Sequence, residues 1–166
     1  MPTLQKITPC LWFDKEGEEA ARYYCGIFDN SKINAVSHYT EAGYEVHGGR
    51  AGSVLTVAFE LNGQSFTALN GGPHFKFNEA VSMQVNVDTQ QELDTMWSQL
   101  SAGGDPAAQQ CGWLKDKFGL SWQIVPRQME TFLTTGEPAQ RNRVMEALLQ
   151  MKKLDIAALQ RAFDGH

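Results

Sequence analysis

An α+β fold is predicted from three features of the sequence. A strand-like run, a helix-like run and further strand-like runs follow one another in that order twice. Asn62-Gly63, the best hairpin turn in the chain, sits between two β-prone runs, and both residues tolerate positive φ. Residues 80–88 alternate apolar and polar side chains, the period of a half-buried strand.

The elements follow in order. Residues 4–13 read as a strand, with Pro9 suggesting an edge or a bulge. Asp14 opens a turn, and Glu16, Glu18 and Glu19 place negative charge where a helix N-terminus favours it. Ala21, Tyr24, Cys25 and Phe28 then form one helical face, which Asp29-Asn30-Ser31 stops. Strands are expected at 32–39, 53–61 and 64–70, the first two separated by a glycine-rich loop from Glu41 to Gly52. Gly71 to Asn78 reads as a connector. In the second half, Val81, Met83, Val85 and Val87 alternate with Ser82, Gln84, Asn86 and Asp88. Thr89 and Glu92 have capping-box spacing, and Leu93, Met96, Trp97 and Leu100 give a helical stripe that ends at Gly103-Gly104. Short strands around 108–114 and 120–125 follow. Beyond Pro126 the chain reads as helical, with stripes at Val144, Leu148 and Met151 and at Ile156, Leu159 and Phe163. The expected organisation is one domain over 1–166, with half-modules at 4–72 and 79–126 and a helical tail at 127–166.

Composition narrows the class. Of 166 residues, 42% are hydrophobic and 20% charged, which suits a packed core. A net charge of -5 argues against nucleic-acid partners and anionic membranes, both of which need clustered Lys and Arg. The start of the chain lacks the apolar core of a signal peptide, and no apolar run approaches a membrane span. Cys10, Cys25 and Cys111 are odd in number and widely spaced, so reduced thiols in the cytoplasm are expected.

Three stretches carry a family resemblance: Ile7 to Phe13 with Glu19 to Tyr24, then Gly71 to Ser82, then Cys111 to Pro126. With them the sequence resembles the vicinal-oxygen-chelate superfamily (glyoxalase I, bleomycin-resistance proteins, extradiol dioxygenases). Within it, the chain is most similar to the PhnB-like branch, often labelled 3-demethylubiquinone-9 3-methyltransferase. The resemblance implies paired βαβββ modules whose curved sheets form a cup, commonly in a homodimer. It also implies a divalent metal held by His, Gln or Glu on four strands. Those positions fall at about Thr8, within Phe66 to Ala68, at Ser82 and at Gln123. Thr, Ser and one Gln amide are weak neutral donors, so no metal and no cofactor is expected. His38, His47 and His74 have no paired spacing and read as loop or surface histidines, although His47 with Glu45 suggests a lid over the cup.

The polar stripe Ser82, Gln84 and Asn86 is the main functional signal. Its strand's other face is aliphatic and suits packing on a helix. Thr8, Cys10 and Trp12 from the first strand, and Ser121 and Gln123 from the last, are expected on the same side. Together these eight residues make a candidate ligand-binding set, with a plain solvated sheet face as the alternative. No glycine-rich loop follows the first strand and β and α do not alternate, so methyl transfer gains no support. The leading expectation is a binding protein, or a metal-independent enzyme, for an unidentified small organic molecule in a homodimer. Alternatives are a metal-dependent glyoxalase- or dioxygenase-like enzyme, and an interaction module docking through helices beyond Pro138.

Overall fold

A computed structural model describes residues 5–166; the expected first-strand start at residue 4 lies outside the described residues. The chain divides into two compact units, one ending at Phe77 and the other starting at Asn78.

In the first unit β1 (Cys10–Phe13), α1 (Gly17–Ile27), β2 (Lys32–His38), α2 (Tyr44–His47), β3 (Val54–Leu61) and β4 (Gln64–Asn70) follow in sequence. The sheet order is β1-β4-β3-β2, with β1 parallel to β4 and the other pairs antiparallel. This is the strand, helix and three strands read from the sequence. Asn62 and Gly63 turn the β3–β4 hairpin with φ of 48° and 79°. Val57, Phe59 and Leu61 alternate inward from β3, against a helix whose buried face holds Ala20, Ala21 and Tyr24. The α1 N-terminus has no side-chain cap of its own; Gly17 N donates instead to Asn70 Oδ1 at 2.8 Å. The glycine-rich loop contains α2, bounded by Gly43 and Gly48 at positive φ.

The second unit comprises β5 (Ser82–Val87), α3 (Gln90–Ser101), a 3₁₀ turn (Pro106–Ala108), β6 (Trp113–Lys115) and β7 (Ser121–Pro126). It continues through α4 (Gln128–Thr134), α5 (Pro138–Leu149) and α6 (Ile156–Asp164). The sheet order is β5-β7-β6, with β5 and β7 parallel. Glu92 N donates to Thr89 Oγ1, the half of the capping box that caps the helix, while Glu92 Oε2 accepts from Asp88 N, one residue before the cap, instead of from Thr89 N. Leu93, Trp97 and Leu100 of α3 are buried, as are Val87, Trp122 and Ile124 on the facing side of the sheet. Val81, expected on that aliphatic side, precedes β5 and is 64% exposed.

Where the first unit has a further strand, this unit has only an isolated bridge between Gln110 and Trp113. The cause lies in the neighbouring backbone. Cys111 and Gly112 adopt φ of 51° and 84°, and their amides bond to Met151 O (2.8 Å) and Lys152 O (2.7 Å). Amides committed to the C-terminal segment are not available to a sheet ladder. That segment is also held by Gln90, whose Nε2 donates to Leu154 O and whose Oε1 accepts from Ile156 N. Arg143 closes α6 by donating to Ala162 O and Phe163 O. The fold is thus α+β, with two small mixed sheets, neither closed into a barrel.

Candidate functional site

The polar stripe lies on the open side of the second unit's sheet, opposite α3. Parallel register sets Ser82 beside Ser121, Gln84 beside Gln123 and Asn86 beside Val125, while Trp113 of β6 pairs with Gln123. Gln123 Nε2 donates to Ser82 Oγ and Gln84 Nε2 to Asn86 Oδ1, both at 2.9 Å. Gln84 Oε1, Gln123 Oε1 and Asn86 Nδ2 have no hydrogen-bond partner among the described residues. The stripe therefore offers acceptors and a donor without formal charge.

Above it opens a cavity of about 600 Å³. Gln84, Asn86, Gln123 and Trp113 line its sheet side, and Met129, Leu133, Leu148 and Leu154 line the wall supplied by the C-terminal segment. Cys111 and the exposed Arg127 and Glu130 also line it. Arg127 Nε is paired with Asp88 Oδ1 at 2.8 Å. An apolar enclosure with a few convergent polar groups suits a small organic molecule.

The other expected site residues lie elsewhere. Ser121 lines a smaller cavity of about 410 Å³ in the same unit, with its Oγ buried and unpartnered among the described residues. Thr8 precedes β1 and is exposed. Cys10 and Trp12 share the open side of the first unit's sheet, since Leu11 and Phe13 point into its core. Trp12 is fixed structurally: its Nε1 donates to Gly72 O at 2.8 Å, and a Cβ on Gly71 would sit 2.3 Å from its ring. Desolvation raises the Cys10 thiol pKa. The eight-residue candidate set leaves out Trp113, although its indole on its own favours a cavity or an interface, and the C-terminal wall. The stripe at Val144 and Leu148 was visible, but nothing local tells a wall from an ordinary packing face.

The donor set does not fit the divalent metal that the resemblance implies. Ser82 and Gln123 are neutral and spend a bond on each other, while Phe66 and Ala68 are buried apolar side chains. Among the described residues no group of three His, Cys, Asp or Glu side chains is placed to hold a metal. Gly49 N donates to His47 Nδ1, leaving Nε2–H to donate to Ala42 O, so both ring bonds stay within the glycine-rich loop, and the ring packs on Tyr39.

Beside the smaller cavity Glu79 pairs with Lys115. That hydrogen bond, helped by a backbone bond and the ammonium charge, holds the Glu79 carboxyl below the usual glutamate range. A lowered folded pKa stabilises above the unfolded value, and this contribution is lost as pH falls through the folded value. In an NMR titration Glu79 should ionise below free glutamate, and Lys115→Met should restore the ordinary midpoint. An unchanged midpoint would remove the pair from the account.

Residues 5–125 match the model of a family described as 3-demethylubiquinone-9 3-methyltransferase. Among solved structures, the PhnB protein of Bacillus cereus, described with the same enzyme name, is 36% identical; the match covers 74% of this chain and 99% of that one, with a TM-score of 0.62. A Pseudomonas aeruginosa protein is 18% identical over 74% of this chain and 97% of its own, with a TM-score of 0.57, which shows a shared fold. A glyoxylase/bleomycin resistance protein/dioxygenase domain from Frankia is 15% identical over 75% of this chain and 93% of its own, with a TM-score of 0.47. No curated protein matches.

Proposed function

The chain belongs to the family described as 3-demethylubiquinone-9 3-methyltransferase, the PhnB-like branch of the glyoxalase/bleomycin-resistance/dioxygenase superfamily, and from that membership we propose that it binds a small organic molecule. The ligand in this reading is neutral and partly aromatic, and it occupies the larger cavity of the second unit without a metal. The observation that carries the proposal is the pairing of three uncharged amide side chains and Trp113 with an apolar wall from the C-terminal segment. A flat ring gains from packing on the indole, and polar substituents find the free groups of Gln84, Asn86 and Gln123. A net formal charge on the ligand would meet no counter-charge on the stripe and would be costly to desolvate.

We further propose a cytoplasmic homodimer in which the two units act as one domain. Exposed apolar side chains, Ile7 and Phe75 in the first unit and Val81 and Leu149 in the second, support a partner copy. The net charge supports neither nucleic acid nor an anionic membrane as partner. No helix among the described residues is long and apolar enough to cross a membrane. The methyl transfer in the family's description gains no support from these residues: the turn from β1 to α1, Asp14-Lys-Glu16, is not a glycine-rich cradle.

The test is a thermal-shift screen of neutral aromatic amides, run with and without EDTA, on protein whose metal content has been measured. Stabilisation by at least one amide, unchanged by EDTA and lost in Trp113→Ala, supports the proposal. About one equivalent of tightly held zinc, iron, nickel or manganese per chain would overturn it.

A further inference from the structure

We propose that the smaller cavity of the second unit is a separate binding site for a small monocarboxylate with an apolar body. It shares Cys111 and Trp113 with the larger cavity but none of the amides of Gln84, Asn86 and Gln123. The first observation is Ser121. Its side chain is only 1% exposed, and its Oγ has no hydrogen-bond partner among the described residues. A buried hydroxyl without a partner is uncommon in folded proteins, because the bonds it made to water are lost without replacement. Ser121 lines this cavity, and a ligand oxygen that reaches its Oγ, which is closed to water in the free protein, would restore one.

The second observation is the neighbour. Lys115 is the cross-strand partner of Ser121, so the two side chains stand on one face of the sheet. Directly opposed pairs of this kind hold their Cβ atoms about 5 Å apart. That spacing lets one hydroxyl and one ammonium reach the two oxygens of a single carboxylate. Among the described residues Lys115 bonds only to Glu79, while an ammonium carries more than one donor. The remaining lining includes Ala108, Trp113 and Leu114, which suit an aliphatic or aromatic body.

The charge balance selects the class. A neutral alcohol would leave the ammonium's second bond unused. A cation would be repelled by Lys115 at short range. A phosphate dianion would face the Glu79 carboxylate with only one ammonium to offset both. A monocarboxylate can share Lys115 with Glu79, or displace Glu79, which is well exposed and can turn to water.

Glu79 is therefore a competitor of the ligand, and the direction of its effect makes the test specific. Benzoate, benzyl alcohol and benzylamine would be titrated into the full chain at neutral pH by chemical-shift perturbation. Saturable benzoate binding is expected, with the other two at least about tenfold weaker, a loss on the order of one charge-assisted hydrogen bond. Ser121→Ala and Lys115→Met should each weaken benzoate by about tenfold, whereas Glu79→Gln should tighten it severalfold. Glu79 and the Ser121 hydroxyl can be changed with little volume lost from the core, so these two variants decide the matter even if Lys115→Met folds poorly. No saturable benzoate binding, equal binding of benzyl alcohol, or unchanged affinity in both Ser121→Ala and Glu79→Gln would overturn the assignment.

Discussion

Asp116→Ala is expected to lower the unfolding midpoint of the second unit by at least about 12 °C, a loss of roughly 3 kcal/mol or more. Asp116 is 2% exposed, and its carboxylate gathers the turn that joins β6 to β7. Oδ1 accepts from Phe118 N at 2.8 Å and from Leu120 N at 3.1 Å, and Oδ2 accepts from Trp122 Nε1 at 2.8 Å. The backbone is bound as well, with Asp116 N donating to Leu120 O and Gly119 N to Asp116 O. Alanine would leave two amides and one indole N–H without their acceptor, two of the three bonds lying in buried surroundings. Asp116→Asn keeps the shape but has only one acceptor oxygen, so it should fall between wild type and alanine. Thermal unfolding followed by near-UV circular dichroism reads the tryptophans directly. An Asp116→Ala midpoint within about 2 °C of wild type, the shift expected for less than 1 kcal/mol, would show that the carboxylate is not the anchor of this turn.

Deleting Met151 to His166 should cost the second unit at least about 4 kcal/mol and open its larger cavity. The deletion removes Leu154 and Leu159, which are 2% and 0% exposed, and each fully buried leucine contributes about 1.5–3 kcal/mol. It also strips Cys111 and Gly112 of their acceptors and Gln90 of its two partners in that segment, leaving it only Asp94. A loss of this size is a large part of a typical domain's stability. Hydrogen exchange should then show amides 111–126 losing protection. Read as a dispensable docking module, the segment would leave both stability and ligand affinity intact on removal. Wild-type protection in the truncated chain would restore that view.

These two regions mark where sequence reasoning stops. Its successes rest on local signals. Asn62-Gly63 needs only its own dihedral freedom, Thr89 caps the amide of Glu92 three residues on, and the alternation from Ser82 to Val87 places Gln84 and Asn86 on one face. Asp116 resembles any turn aspartate until Trp122 is folded back over it, six residues later. Trp113 and Leu148 are distant in sequence, and only the third dimension brings them to one cavity. The strand expected at 108–114 begins late for the same reason: the amides of Cys111 and Gly112 go to carbonyls about forty residues away, which no local pattern announces. The resemblance puts a ligand position at about Thr8, but a sequence match does not register that β1 begins only at Cys10.

The Ser82–Gln123 hydrogen bond has a consequence for how such chains diverge. Two side chains on adjacent strands already meet at 2.9 Å, on positions that the resemblance assigns to half of a metal's ligands. The backbone spacing for a chelating pair is therefore present, and only the donor chemistry differs. An imidazole at one position and a carboxylate at the other lie a few nucleotide changes away, with no strand to move and no turn to rebuild. Half of such a donor set can thus change at the level of side chains, on two strands whose register the β5–β7 backbone ladder already holds.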